Sequence, residues 1–251
     1  MGKDNRDVLV SIIIPAYNEE DAIEKTVAEV KKLNLNKEII IVDDSSKDNT
    51  VELVKKMDGV KLIQHNINRG RGAAIRTGID NSNGEIICTQ DADMEQLPSD
   101  IPRLIQPILD KEADVVYGSR FKNKNTSIDS TWLRITGNKF FAFLGNILFH
   151  QHLTDVYTGS KCYSRKVFER IYLQSEGFEQ EVEILAKLSK YKMRIVEIPI
   201  EYSFRTTGAS KMKFRDGIVG SYTILKYFFK CKGLNNFMIK FKKRRTTECK
   251  S

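Results

Sequence analysis

The sequence predicts an α/β domain with a mostly parallel sheet covered by helices on both faces. Three observations carry that expectation. Short apolar β-rich runs alternate with segments of helical periodicity over the first 120 residues. Polar clusters follow the runs where the carboxyl ends of parallel strands would lie. No repeat or flexible linker interrupts the pattern, so the chain divides into one large domain, residues 1–214, and an extension, residues 215–251.

"VLVSIII" (Val8 to Ile14) reads as the first buried strand. Ile23, Val27, Val30 and Leu33 follow at helical spacing. "EIIIV" is the second strand, and "DDSSKDNT" supplies capping residues ahead of a helix in "VELVKKM". "VKLIQH" and "EIICTQ" are the third and fourth strands, separated by a helix in "AAIRTGIDNS", and "ADVVYGSR" follows them. The pattern then loosens. "RITGNKFFAFLGNILFHQ", interrupted by glycines and polar residues, reads as one or two short helices. A strand in "SKCYS", helices in "RKVFERIYL" and "EQEVEILAKLSKY", and a strand in "RIVEIPIEYSF" complete the domain. Beyond Arg215, Ile218, Val219, Tyr222, Leu225, Phe228 and Phe229 form an apolar face with lysines nearby.

Composition limits the function classes. With 41% hydrophobic and 29% charged residues the chain is expected to fold. Its net charge of +8 favours anionic partners without choosing among nucleic acid, acidic membrane and phosphorylated substrates. No zinc spacing, helix-turn-helix pattern or aromatic platform accompanies that charge, so nucleic acid is not expected. Cys88, Cys162, Cys231 and Cys249 are far apart and read as reduced thiols. The amino-terminal run reads as a strand rather than a signal peptide, and no apolar run is long enough to span a membrane.

Three polar clusters fall at one predicted sheet edge: "PAYNEE" after the first strand, "DDSS" after the second and "DAD" after the fourth. Each alone reads equally as a turn or a helix cap. Their coincidence points to a ligand site. Alternating acids Asp91, Asp93 and Glu95 suit a hard divalent cation, whereas Leu97, Pro98 and Ser99 read as a helix start. Neither a G-x-G-x-x-G nor a phosphate-loop motif occurs. "NRGRGAAIRTG" is glycine-rich and basic; its amides and Arg71 either meet an anion or form a solvated turn.

In order, "VSIIIPAYNEE", "IIIVDDSSKDNT", "NRGRGAAIRTG", "QDADMEQLP" and "GSR" resemble family 2 inverting glycosyltransferases of the GT-A fold. "LTDVYTGSKCYSR", "EVEIL" and "VEIPIEYSFRTTGASK" narrow the resemblance to the polyprenyl-phosphate branch, which includes dolichyl-phosphate mannose and glucose synthases. The resemblance runs from about Val8 to Lys211. It implies that Pro15, Tyr17, Glu19, Asp43 and Asp44 hold the donor nucleoside. Asp91 and Asp93 match its D-x-D pair for Mg²⁺ or Mn²⁺, and Glu95 falls where mannose synthases place an amide-bearing metal contact. Arg120 and Arg134 match arginines that grip the lipid phosphate, and Arg205 and Lys211 match a loop pair that meets the donor diphosphate.

The expected activity is transfer of a hexose from a nucleotide-sugar to dolichyl or another polyprenyl phosphate, with inversion. UDP-glucose or UDP-N-acetylglucosamine ranks ahead of GDP-mannose, on the glycine-rich loop. Two rivals stand beside it. One is elongation of a saccharide with Glu181 or Glu183 as base, although the periodicity reads both as a solvated helix face. The other is a silent nucleotide-sugar or membrane-binding module. A lipid acceptor implies peripheral attachment at the cytoplasmic face of a membrane. The Tyr222 to Phe229 face and the basic tail, Lys240, Lys242, Lys243, Arg244 and Arg245, either lie on that surface or pack on the domain.

Overall fold

Apolar runs with β-branched residues become seven strands of one sheet, in the order β3-β2-β1-β4-β6-β5-β7. The computed structural model describes residues 7–122, 132–202, 222–224 and 226–229, excepting the side chains of residues 132–135. The elements are β1 (Val10–Ala16), α1 (Ile23–Lys32), β2 (Lys37–Asp43), α2 (Thr50–Lys55), β3 (Val60–Gln64), α3 (Arg71–Asp80) and β4 (Ile86–Thr89). A 3-10 turn (Pro98–Asp100) leads into α4 (Ile101–Leu109), then β5 (Val115–Ser119) and α5 (Trp132–Phe149). β6 (Lys161–Ser164), α6 (Arg165–Phe168), α7 (Gln180–Lys190) and β7 (Ile195–Pro199) follow. Only β6 runs antiparallel, between β4 and β5. The parallel α/β sheet expected from the sequence is therefore present, with one reversed strand.

The period of two divides the core. Ile12 and Ile14 of β1 pack with α1 and α4 on one face. Ile13 faces α3, α5 and α7 on the other, with Ile87, Tyr117 and Leu185. Covering both faces buries β4 completely, which explains why its sequence is a continuous apolar run rather than an alternating one. Cys88 and Cys162 lie opposite each other across β4 and β6, as free cysteines.

Two elements differ from the sequence expectation. The glycine-containing segment after residue 131 is one continuous 18-residue helix, α5. Gly145 does not break it, because a β-carbon there would stand 2.8 Å from Leu185 Cδ2; the glycine lets α5 approach α7 closely. α6 is shorter than its periodicity implies, since the following chain lays Ile171 and Leu173 into the core. In the predicted extension, Ile224 joins Phe141 and Val182 in one buried cluster, and Tyr227 joins the α3, α5 and α7 side of the core. That part of the extension packs on the domain. Among the described residues no helix is long and apolar enough to cross a membrane.

Strand register brings one end of the sheet into line. Ala16 pairs with Asp43, Asp43 with Gln64, Thr89 with Lys161 and Ser119 with Pro199. Gly70 closes this rim, with φ +99° and the carbonyl oxygen of Glu176 only 2.5 Å from where a β-carbon would stand. We expect Gly70→Ala to cost roughly 2–3 kcal/mol, from overpacking against backbone added to left-handed strain. Gly59→Ala, at φ +68° with nothing within 4 Å, should cost only about 1 kcal/mol. Urea unfolding of the two variants checks the difference.

Candidate active site

Loops leaving β1 and β2 are locked to each other by side-chain caps. The Asn18 amide donates to Ser46 Oγ (2.9 Å), and the Lys47 amide returns a bond to Asn18 Oδ1 (2.8 Å). The Glu19 amide donates to Thr50 Oγ1 (2.8 Å), and Glu20 Oε2 accepts from the Asn49 amide (2.9 Å). Asn18 and Ser45 take positive φ, 50° and 65°, at the apex of this pair of loops. Pro15 and Tyr17 stand beside them, half-buried, and Glu19 is buried.

At the end of β2, Asp43 is buried with one oxygen satisfied. Its Oδ2 accepts the Ser46 amide (3.0 Å), while Oδ1 is buried with no partner among the described residues. A buried carboxylate oxygen in that state is an acceptor waiting for a donor, as the N–H of a nucleobase would be. Asp44 is arranged otherwise. Its Oδ1 contacts His65 Nδ1 (2.7 Å) and accepts the Arg69 amide (2.9 Å), and its Oδ2 accepts the Gly70 amide (2.6 Å). His65 Nε2 reaches Thr77 Oγ1 (2.9 Å), so Asp44 ties the glycine-rich loop to β2 and α3.

The acidic turn follows β4 directly. Thr26 Oγ1 donates to the Ala92 carbonyl (2.7 Å), fixing the middle of "DAD" on α1. Asp93 Oδ1 accepts the Glu95 amide (3.1 Å), and Met94 adopts φ 61°, which turns the chain sharply. Glu95 Oε2 accepts from the Tyr202 hydroxyl (3.2 Å). Asp91, Asp93 and Glu95 thus share one turn, yet among the described residues no three acidic, histidine or cysteine side chains converge as a metal cage. Asp91 and Asp93 alone fit a hard cation that takes one or two carboxylates and completes its shell with phosphate and water. The helix start read at Leu97 to Ser99 is present as the 3-10 turn ahead of α4.

Arg71, expected either to meet an anion or to be solvated, is paired with two carboxylates of its own chain. Nε and Nη2 both donate to Asp91 Oδ1 (3.0 and 2.8 Å), and Nη1 donates to Glu181 Oε1 (2.5 Å). Glu181 Oε2 in turn accepts from Lys161 Nζ, which also donates to the Val156 carbonyl (3.0 Å) and lies over the Tyr117 ring. Burial disfavours the Arg71 charge, but Asp91 and Glu181 outweigh it and raise its pKa above the ordinary arginine value. Burial lowers the Lys161 pKa, against the opposing pull of Glu181.

Glu181 and Glu183 correct the expected solvated face, being 4% and 0% exposed. α7 is covered both by α5 and by the chain between Tyr172 and Gly177. Glu183 accepts the Gln174 and Ser175 amides (2.9 and 2.6 Å) and pairs with Lys187.

After β5, Arg120 is gripped from the side. Nε and Nη2 donate to Asp155 Oδ2 and Oδ1 (2.7 and 2.8 Å), and the Arg120 amide adds a third bond to Oδ2 (3.1 Å). Asn138 Nδ2 supports the same carboxylate (2.8 Å), so Asp155 orients the arginine. The guanidinium lies over the rings of Phe121 and Tyr202. Burial opposes its charge, yet Asp155 holds its pKa above the ordinary value. Burial, then the Glu95 carboxylate, pushes the Tyr202 phenol up to about 12, so it remains a donor at neutral pH.

Arg134 lies in the first turn of α5, and its side chain is outside the described residues. Arg205, Lys211 and the basic tail also lie outside them. Lys161, Tyr202 and Asn138 are site residues that the sequence reading missed. A lysine inside an apolar strand, in "SKCYS", was the available signal for the first.

Removing the carboxylate from Glu181 leaves the Lys161 ammonium buried and unpaired. Glu181→Leu should therefore cost roughly 3–5 kcal/mol. Glu181→Gln keeps one acceptor oxygen but turns its NH2 towards the second cation, so it should recover only part of that cost, and chemical unfolding of both variants distinguishes them.

Comparison with known proteins places this site in a family. The Glycosyl transferase family 2 profile matches residues 11–172. A UDP-N-acetylglucosamine–dolichyl-phosphate N-acetylglucosaminyltransferase of Methanococcus voltae is 32% identical over 216 residues, covering 78% of this chain and 86% of that protein. A dolichol-phosphate mannosyltransferase of Pyrococcus furiosus is 31% identical over 211 residues, covering 81% of this chain and 59% of that one. Among solved structures, glucosyl-3-phosphoglycerate synthase from Mycobacterium tuberculosis, in complex with Mn²⁺, UDP and glucosyl-3-phosphoglycerate, aligns with a TM-score of 0.69 at 17% identity. That alignment covers 90% of this chain and 80% of the synthase, and at this identity it speaks for the GT-A fold alone. With its sheet order, its D-x-D turn and relatives similar over most of its length, the chain belongs to glycosyl transferase family 2.

Proposed function

We propose that this protein transfers a hexose from a nucleotide-sugar to the phosphate of dolichyl or another polyprenyl phosphate, with inversion at the anomeric carbon. The observation that carries this reading is Arg120, fixed by Asp155 on one edge and joined through Tyr202 to the acidic turn, which would face a donor diphosphate. A phosphate monoester has a second pKa near ~6, so at neutral pH it is already a dianionic nucleophile and needs no general base. An arginine held in its plane is the group that binds such an oxygen cluster. One acceptor phosphate oxygen forms the bond to C1 as the bond from C1 to the donor diphosphate breaks, and the nucleoside diphosphate leaves.

The chain's own groups divide the work. Asp43 Oδ1 accepts from the base, with Pro15, Tyr17 and Glu19 lining the nucleoside side. Asp44 acts at one remove by holding the glycine-rich loop, and Arg71 acts through Asp91. Asp91 and Asp93 would hold a divalent cation, Mg²⁺ or Mn²⁺, with Glu95 joining once released from Tyr202. Bound there, the cation neutralises charge on the leaving diphosphate. Arg205 and Lys211 add positive charge on the donor side, and Arg134 joins Arg120 on the acceptor.

UDP-N-acetylglucosamine or UDP-glucose is the proposed donor, ahead of GDP-mannose. The Methanococcus voltae relative, named for the first of these, supports that order. The saccharide-elongating alternative loses its proposed base, because Glu181 and Glu183 are both buried and paired. A catalytically silent module is the remaining rival. We place the enzyme at the cytoplasmic face of a membrane, attached peripherally.

Incubation of purified protein with polyprenyl phosphate and each labelled donor tests the reading. Transfer into an alkali-stable, acid-labile lipid is expected from a UDP-sugar, and chelation should abolish it. Transfer from GDP-mannose alone reverses the donor order, and donor binding without turnover supports the silent module. Asp93→Asn should lower kcat by a hundredfold or more, roughly the scale of losing one charge-stabilising group. Arg120→Lys, which keeps charge but loses the planar fork, should raise the acceptor KM about tenfold or more while leaving the donor KM unchanged.

A further inference from the structure

Among the described residues, eight large apolar side chains are exposed, and five of them sit on two adjoining segments. Phe140, Phe143 and Ile147, 51%, 60% and 54% exposed, follow one stripe of α5 at spacings of three and four. Tyr222 and Phe229 are 66% and 67% exposed and stand seven positions apart. The opposite sides of both segments are buried. Phe141, Ala142 and Phe149 face inward from α5, and Ile224 packs directly with Phe141 and Val182. Residues 222–224 and 226–229 therefore pack beside α5, with Tyr222 and Phe229 left exposed.

We propose that this two-segment face docks on an anionic lipid bilayer, with its aromatic and aliphatic side chains entering the headgroup boundary. Three observations select that occupant. Exposed Lys139 and Lys226 border the apolar residues, and α5 contains no acid. The sequence beyond Phe229 adds eight basic residues against one acid, Glu248. Aromatic side chains flanked by lysines match the interfacial region of a bilayer. A second copy of the chain is disfavoured, because a two-fold contact sets this basic face against itself. The third observation is position. α5 carries Arg134 in its first turn, and Phe140 and Ile147 follow roughly 9 and 20 Å along the same rigid helix. Docking this face would fix the acceptor arginine at a set distance from the surface where a lipid phosphate lies. The inference of position rests on the proposed acceptor; that of docking does not.

The experiment uses the full chain with vesicles of phosphatidylcholine mixed with phosphatidylglycerol, read by co-sedimentation. A combined Phe140→Ser, Phe143→Ser, Ile147→Ser variant should bind about tenfold or more weakly, as apolar area is lost from the interface. It should keep the wild-type circular dichroism and wild-type turnover on a short, water-soluble prenyl phosphate. Phe229→Ser, which leaves α5 intact, should weaken binding in the same direction. Equal vesicle binding by the wild type and both variants overturns the proposal. So does a wild-type dimer that the variant dissociates while neither protein binds vesicles. Loss of vesicle binding with no turnover by either protein leaves docking standing and sinks the lipid-phosphate acceptor instead.

Discussion

The rim of this domain depends on a run of alternating charge that leads inward from half-buried Asp91 through Arg71 and Glu181 to Lys161. The four come from the end of β4, the start of α3, the first turn of α7 and the start of β6, elements far apart in sequence. None of the inner charges is tolerable alone, since an uncompensated buried ion costs several kcal/mol. Together they balance, and each fixes its neighbour's geometry. Arg71 reaches both carboxylates because Gly70 and Gly72 let the start of α3 pass under the carbonyls of residues 175–177. The glycine-rich loop thus serves the acidic turn through backbone sterics and one guanidinium.

A second fork does the same on the other side of the rim. Glu197 of β7 accepts the amides of Thr154 and Asp155 (2.8 and 2.9 Å), which sets the carboxylate that holds Arg120. Tyr202 joins the two halves, with its hydroxyl on Glu95, its ring against Arg120 and a backbone bridge to Gln96. Gln96 also accepts from the Ser160 amide (2.6 Å) and the Thr158 hydroxyl (3.1 Å), so the acidic turn is tied to the strand that carries Lys161. The proposed donor and acceptor sides therefore share one hydrogen-bonded frame.

Much of this was legible in the sequence, where local physics decides. β1 to β5 follow from apolar runs bounded by polar clusters, and the clusters at Asp43 and Asp91 fall at the rim because parallel strands end there. The reversal of β6 was not legible. "SKCYS" reads the same in either direction, and only pairing with both β4 and β5 orients it. The state of Glu181 and Glu183 was hidden for a related reason. Helical periodicity reports which residues share a face, but not whether another element covers that face. Here α5 and the chain before α7 cover it, and Lys161, twenty positions away, neutralises Glu181. The length of α5 was misjudged because glycine marks a break in local propensity, whereas Gly145 is an approach point for α7.

An acidic turn in a chain of net charge +8 posed a conflict that the structure resolves by prior pairing. Asp91 faces Arg71, Asp93 accepts a backbone amide and Glu95 accepts a phenol. Each carboxylate already has a partner: a guanidinium, an N–H and a hydroxyl. Arg71 holds Oδ1 of Asp91 through two donors, while the Tyr202 hydroxyl holds Oε2 of Glu95. Positive charge arriving at this turn therefore meets carboxylates that are already oriented. Drawing Glu95 inward breaks its bond to Tyr202, whose ring rests on Arg120. The acidic turn and Arg120 are thus in contact through that one side chain.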